Sequence, residues 1–93
     1  MDRQRFQNLS NIAKIDYVII RLEHARGLMQ IIYDSGLPLS NSVLAELESL
    51  GDDFAAFGVA AETGQSDYIF DELNAKIAKL ENIANNIQKL VSN

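Results

Sequence analysis

A chain of 93 residues, 47% hydrophobic and 23% charged, is long enough for one small globular domain over residues 1–93 and too apolar to stay disordered. Without cysteine it has neither a disulfide framework nor thiolate chemistry, and a single histidine excludes the usual zinc ligand sets. The net charge of −5 is unevenly placed, because residues 27–75 hold nine Asp and Glu but no Lys or Arg. Such an acidic middle repels phosphate, so we predict no nucleic-acid partner.

The sequence also lacks features of membrane insertion and export. No apolar run approaches the length that spans a bilayer. Three of the first six residues are charged, and no hydrophobic signal core follows them. We therefore expect a cytoplasmic protein with no membrane partner.

The first predicted helix covers about residues 3–34 and stops before a turn that contains the only proline, Pro38, between Gly36 and Ser40. The second helix covers about residues 41–63 and ends near Gly64, a residue suited to a helix C-terminus. A third helix of about residues 66–91 completes the chain, and no stretch alternates with the period of a strand.

The second and third helices carry matching apolar seams at spacings of 4-3-4-3-4. One seam consists of Val43, Leu47, Leu50, Phe54, Phe57 and Ala61, and the other of Leu73, Ile77, Leu80, Ala84, Ile87 and Val91. Two such helices joined by a short connection predict an antiparallel hairpin. The fold class is therefore all-α, a three-helix bundle in which a long first helix packs on this hairpin. Gly51, Ala55 and Gly58 follow one side of the second helix, which we interpret as packing against a neighbour.

The first helix has two apolar faces. One face, expected to cover the hairpin, carries Ile12, Ile15, Val18, Ile19, Leu22, Ala25, Met29 and Ile32. The second face lies opposite and carries Phe6, Ala13, Tyr17, Ile20, His24, Gly27 and Ile31. A helix on the outside of a monomeric bundle needs only one apolar face, and an exposed apolar patch usually marks an interface.

The second face therefore predicts self-association, most simply a twofold dimer in which two first helices cross near His24 and Gly27. Two alternatives stay open. The face could bind a different protein, or the helix could break near Gly27 and fold inward to make a four-helix bundle.

Acidic residues of the second helix and the start of the third predict a surface for a basic protein partner. Its candidate residues are Glu48, Asp52, Asp53, Glu62, Asp67 and Asp71. The simpler interpretation of these carboxylates is a solvated face that keeps the protein soluble.

The sequence has no pattern typical of catalysis. It lacks phosphate-binding glycine loops, nucleophile elbows, calcium loops and the E-x-x-H pattern of di-iron bundles. We therefore predict no enzymatic activity, no catalytic residues, no metal and no cofactor. The expected function is a non-catalytic protein–protein interaction module, such as a small regulator, adaptor or inhibitor.

Three resemblances bear on that function. The segment "HARG" is similar to the signature of histidine phosphotransfer domains, which would make His24 a phosphate acceptor. Arg26 and Gly27 each stand one position earlier than in that signature, a rotation of about 100° on a helix. In length and lack of cysteine the chain resembles secreted helical-hairpin proteins of the W-x-G class, but it has no Trp and its turn reads "SGLPLSN". In size and acidity it resembles helical immunity proteins, without their tyrosine-rich or proline-rich motifs.

Overall fold

A computed structural model describes residues 1–92, and over that range the chain is helical with no strand. The helices are α1 (Arg3–Gln7), α2 (Asn11–Asp34), α3 (Asn41–Glu62) and α4 (Ser66–Ser92). The predicted all-helical class is confirmed. The bounds of α3 and α4 agree with the predicted second and third helices to about one residue.

The predicted first helix is wrong at its N-terminal end, where it divides into α1 and α2. Ser10 begins the new helix, because its side-chain hydroxyl accepts the backbone N–H of Ala13 at 3.2 Å. A serine that bonds to the backbone three residues later caps a helix instead of continuing one. The alternative break near Gly27 is also wrong, since α2 runs through that residue without interruption.

Helices α2 and α4 run parallel. Lys14 of α2 bonds to Asp67 near the start of α4, and His24 lies beside Glu81 further along both helices. Helix α3 lies between them in the sequence and runs antiparallel to both.

The predicted hairpin of α3 and α4 is present. Asp53 pairs with Lys76 and Glu46 pairs with Lys79. The residue number rises along α4 as it decreases along α3, so the two helices are antiparallel. Gly64 makes the reversal between the two helices with φ +79°, a backbone conformation that side chains with a Cβ rarely adopt.

The core lies where α2, α3 and α4 meet, and the short α1 extends it at one end. The predicted seams are buried apart from Val43, which is half-buried, and Val91, which is exposed near the end of α4. Phe6 of α1 is fully buried, with its ring 4.5 Å from that of Phe70 and 5.3 Å from that of Tyr17. The aromatic contacts hold α1 against α4.

The described residues form an elongated body of 44 × 22 × 16 Å. Among them, no helix combines the length and hydropathy needed to cross a membrane.

Candidate protein-interaction surfaces

The six residues of the predicted acidic surface fall into two groups. Three of them bond to basic residues of this same chain. Asp53 accepts from Lys76 at 3.1 Å and Asp67 from Lys14 at 3.0 Å, while Asp71 pairs with Arg3. The other three carboxylates belong to Glu48, Asp52 and Glu62.

The paired group joins α4 to α1, α2 and α3. Lys14 keeps only 12% of its side chain exposed, so its pair with Asp67 is the most enclosed of these contacts. The second carboxylate oxygen of Asp67 is buried and has no hydrogen-bond partner among residues 1–92. These carboxylates bridge α4 to its neighbours, so their charge is largely compensated inside the fold.

Polar side chains also join α2 to α4 beside that pair. The Tyr17 hydroxyl and the Arg21 Nε–H both donate to Oδ1 of Asn74, each at 3.2 Å. The Asn74 amide in turn donates to the backbone carbonyl of Phe70 at 2.9 Å. Tyr17 is thereby fixed on the inner side of α2.

The three remaining carboxylates form what we call the α3 acidic face, defined by Glu48, Asp52 and Glu62. All three are exposed. Their spacing places them within about 80° of one another around the helix. Helix α3 contains no Lys or Arg, and the two lysines of α4 that reach it pair with Asp53 and Glu46, so this face carries net negative charge.

A groove lies beside that face, between α2 and α3. We call it the α2–α3 groove; its volume is about 380 Å³ and it is lined by Leu22, Ala25, Arg26, Met29, Gly51, Phe54, Ala55 and Gly58. It continues into a second hollow of about 250 Å³, which shares Leu22, Arg26 and Gly58 and adds Ile15, Val18, Ile19, Glu23, Ala61 and Glu62. The floor of the groove is apolar and its rim carries charged side chains.

Small residues shape this groove, but they are not required by the contact between α2 and α3. A Cβ added at Gly58 would lie 3.6 Å from Cδ1 of Leu22, and one added at Gly51 would lie 4.0 Å from Cε of Met29. Both distances are ordinary van der Waals contacts. Alanine would therefore fit at both positions, in ordinary contact with α2.

The second apolar face predicted for the first helix is divided by the fold. Phe6 belongs to the core, so it is not available for an interface. Tyr17 and Ala13 are half-buried. The exposed members are Ile20, His24, Gly27 and Ile31, which we call the α2 outer patch.

The patch keeps its hydrophobic character in the structure. Ile20 is 62% exposed and Ile31 is 42% exposed. Nothing lies within 4 Å of the position that a Cβ would take at Gly27. The patch is flat enough at Gly27 for a second helix to approach closely.

His24 stands at the edge of this patch with about half of its side chain exposed. Its Nε2 lies 3.9 Å from a carboxylate oxygen of Glu81, a distance too long for a hydrogen bond but short enough for an ion pair when the imidazole is protonated. A carboxylate this close would repel a phosphoryl group on Nε2. The site thus disfavours the phosphotransfer alternative.

Some apolar residues are exposed where the sequence does not predict it. The sequence places Ile12 and Ile19 on the face that covers the hairpin, but they are 74% and 46% exposed. Val59 is also exposed, on α3. The sequence signal for the groove between α2 and α3 is the spacing of Gly51, Ala55 and Gly58, a pattern that the sequence alone assigns to packing.

Within residues 1–92, no three Asp, Glu or His side chains converge to form a candidate metal site. Comparison with protein-family models, with curated proteins and with solved structures finds no match to this chain. A functional proposal therefore rests on the surfaces of the chain itself.

Proposed function

We propose that the chain is a non-catalytic helical protein–protein interaction module that binds a basic protein through the α3 acidic face. One observation supports this most directly. Glu48, Asp52 and Glu62 are exposed on a helix without a single basic residue, whereas Asp53, Asp67 and Asp71 are paired with basic residues of the same chain. The uncompensated carboxylates are the ones available to a partner.

Such a face would mainly affect the rate of association and the choice of partner. Complementary charge raises the association rate and disfavours acidic competitors, and both effects weaken as salt screens the charges. A module of this kind suits a small regulator, adaptor or inhibitor. The compartment we propose is the cytoplasm, as the composition predicts.

A second observation favours self-association through the α2 outer patch. Ile20 and Ile31 expose apolar surface around Gly27, and the nearest ionic contact, between His24 and Glu81, combines opposite charges when the imidazole is protonated. Two copies could therefore meet here without the repulsion that two α3 acidic faces would produce. A dimer would leave the α3 acidic face of each copy accessible.

The test compares two charge-reversed variants with the same net charge. Asp52→Lys with Glu62→Lys changes the α3 acidic face, and Asp34→Lys with Glu72→Lys changes exposed carboxylates elsewhere. Each variant is immobilised and incubated with a cell extract, and captured proteins are identified by mass spectrometry at low and high salt. We expect the wild type and the control to capture basic proteins that the α3 variant does not capture. This capture should be lost at high salt. Capture that the α3 variant retains in full would reject the proposal.

A further inference from the structure

The pair formed by α2 and α3 is covered on one side only. Helix α4 packs against both, but every residue that lines the α2–α3 groove comes from α2 or α3. The groove therefore lies on the side away from α4. Its apolar floor faces solvent at the point where a further helix could pack.

The dimensions of the groove match a helix. Its lining extends along α2 from Ile15 to Met29, which corresponds to about 21 Å at 1.5 Å per residue. That length accommodates about four turns of a helix. The cleft between two packed helices is also a natural seat for the side-chain ridge of a third.

Gly51 and Gly58 line the groove inside α3. Glycine inside a helix is less favourable than alanine. The contact with α2 does not require either of them, because a Cβ at Gly51 or Gly58 would make ordinary contacts. Because glycine has no side chain, the backbone of α3 borders the groove directly at these two positions, which would let an incoming helix approach closely.

Acidic residues outnumber basic ones along the groove and its extension. Glu23 and Glu62 line the second hollow, and Glu48 and Asp52 are exposed on α3 outside the lining. Arg26 is the one basic residue in its lining. A second copy of this chain, with its net charge of −5, would bring like charges together here, so the charges favour a basic occupant.

We propose that the α2–α3 groove binds an amphipathic helix of the basic partner, with its apolar side on the groove floor and its Lys and Arg side chains against Glu23 and Glu62. This inference rests on the proposed function and names the kind of segment that the partner presents. The segment would carry apolar residues at helical spacing over about four turns, with basic residues beside them.

The probe for this inference is a synthetic peptide of about 18 residues, built from Leu and Lys with Leu on one helical side. A permuted peptide of the same composition tests the need for a single apolar side. A third peptide, with Glu in place of Lys, tests the need for positive charge. Binding is measured by fluorescence anisotropy, and the bound surface is mapped by amide chemical shifts, for which Gly51 and Gly58 are reporters inside the groove.

Two matched variants separate the groove from the rest of α3. Ala55 lines the groove and Ala56 does not, and both are exposed alanines inside the same helix. We expect Ala55→Leu to weaken binding of the Leu–Lys peptide about tenfold, because the new side chain occupies the groove, and Ala56→Leu to leave it within about twofold. Both substitutions add an exposed side chain, so the fold should tolerate each.

The outcomes distinguish this inference from the proposed function. Three results would each overturn the groove inference. The Leu–Lys peptide could bind Ala55→Leu and wild type equally, the permuted peptide could bind wild type as well as the Leu–Lys peptide does, or the changes in amide chemical shift could be confined to α4. If Asp52→Lys with Glu62→Lys abolishes peptide binding while Ala55→Leu does not, the α3 acidic face stands and the groove inference falls. A change in solution mass on Ala55→Leu would identify a second copy as the occupant and would also overturn the inference.

Discussion

The ring of Phe6 stacks on the ring of Phe70 with 4.5 Å between centroids and 21° between planes, and this contact attaches α1 to α4. Phe6 is fully buried although it lies in a helix of five residues. A helix that short has little stability of its own, so its position depends on the buried ring.

The first prediction concerns that ring. We expect Phe6→Ala to lower the free energy of unfolding by about 3 kcal/mol, because it removes a buried aromatic side chain and leaves a cavity beside Phe70. Urea denaturation followed by circular dichroism measures the change. Gln7→Ala, at an exposed position of the same helix, is the matched control and should change stability by less than about 0.5 kcal/mol. A loss below about 1 kcal/mol for Phe6→Ala would show that α1 is not held by this contact.

The α3–α4 hairpin was predictable because its signals are long and agree with one another. The regular seams define one buried side of each helix, and Gly64 supplies the positive φ that the reversal needs. The division of the first helix was harder to predict, because it depends on the cap at Ser10 together with the distant contact between Phe6 and Phe70. The cap at Ser10 can be recognised from the local sequence, but only the contact between Phe6 and Phe70 explains why α1 packs against α4.

The acidic residues illustrate a different limit. Asp52 and Asp53 are neighbours in sequence, yet only Asp53 reaches a lysine of α4, Lys76. Which carboxylates are compensated depends on the register between helices, and composition does not contain that register. For the same reason, the spacing of Gly51 and Gly58 places small residues along one side of α3 but does not show that this side borders an open groove.

The second prediction compares two ion pairs of different enclosure. Lys14 is 12% exposed in its pair with Asp67, whereas Arg3 and Asp71 are both more than half exposed. We expect Asp67→Asn to lower the free energy of unfolding by about 1–2 kcal/mol, since it leaves the enclosed ammonium without a charged partner. Asp71→Asn should change stability by less than about 0.5 kcal/mol. Equal effects of the two variants, measured by urea denaturation, would contradict the difference in enclosure.

The third prediction compares Gly58 and Gly64, because alanine should have opposite effects on stability at these two positions. Gly58→Ala should raise the free energy of unfolding by about 0.5–1 kcal/mol, because the new Cβ has room and alanine favours the helix. Gly64→Ala should lower it by about 1 kcal/mol, because φ is +79° at that residue. Thermal and urea unfolding provide the two values. If Gly58→Ala destabilises the protein, α2 and α3 approach more closely than described and the groove is narrower.

The fourth prediction tests self-association through the α2 outer patch. Light scattering over a dilution series should give twice the chain mass of 10.3 kDa for the wild type. Ile20→Asp should give a monomer with unchanged helicity, because Ile20 is 62% exposed in the described chain and contributes to the patch but not to the core.

Val59→Asp is the matched control for Ile20→Asp, since Val59 is 61% exposed on α3, away from the patch. It should remain dimeric. A wild type that stays monomeric at every concentration would remove the dimer from the proposal and leave the patch to a different protein. A dimer that survives Ile20→Asp but is lost in Val59→Asp would move the interface to the α3 side, where it would compete with the partner helix proposed for the α2–α3 groove.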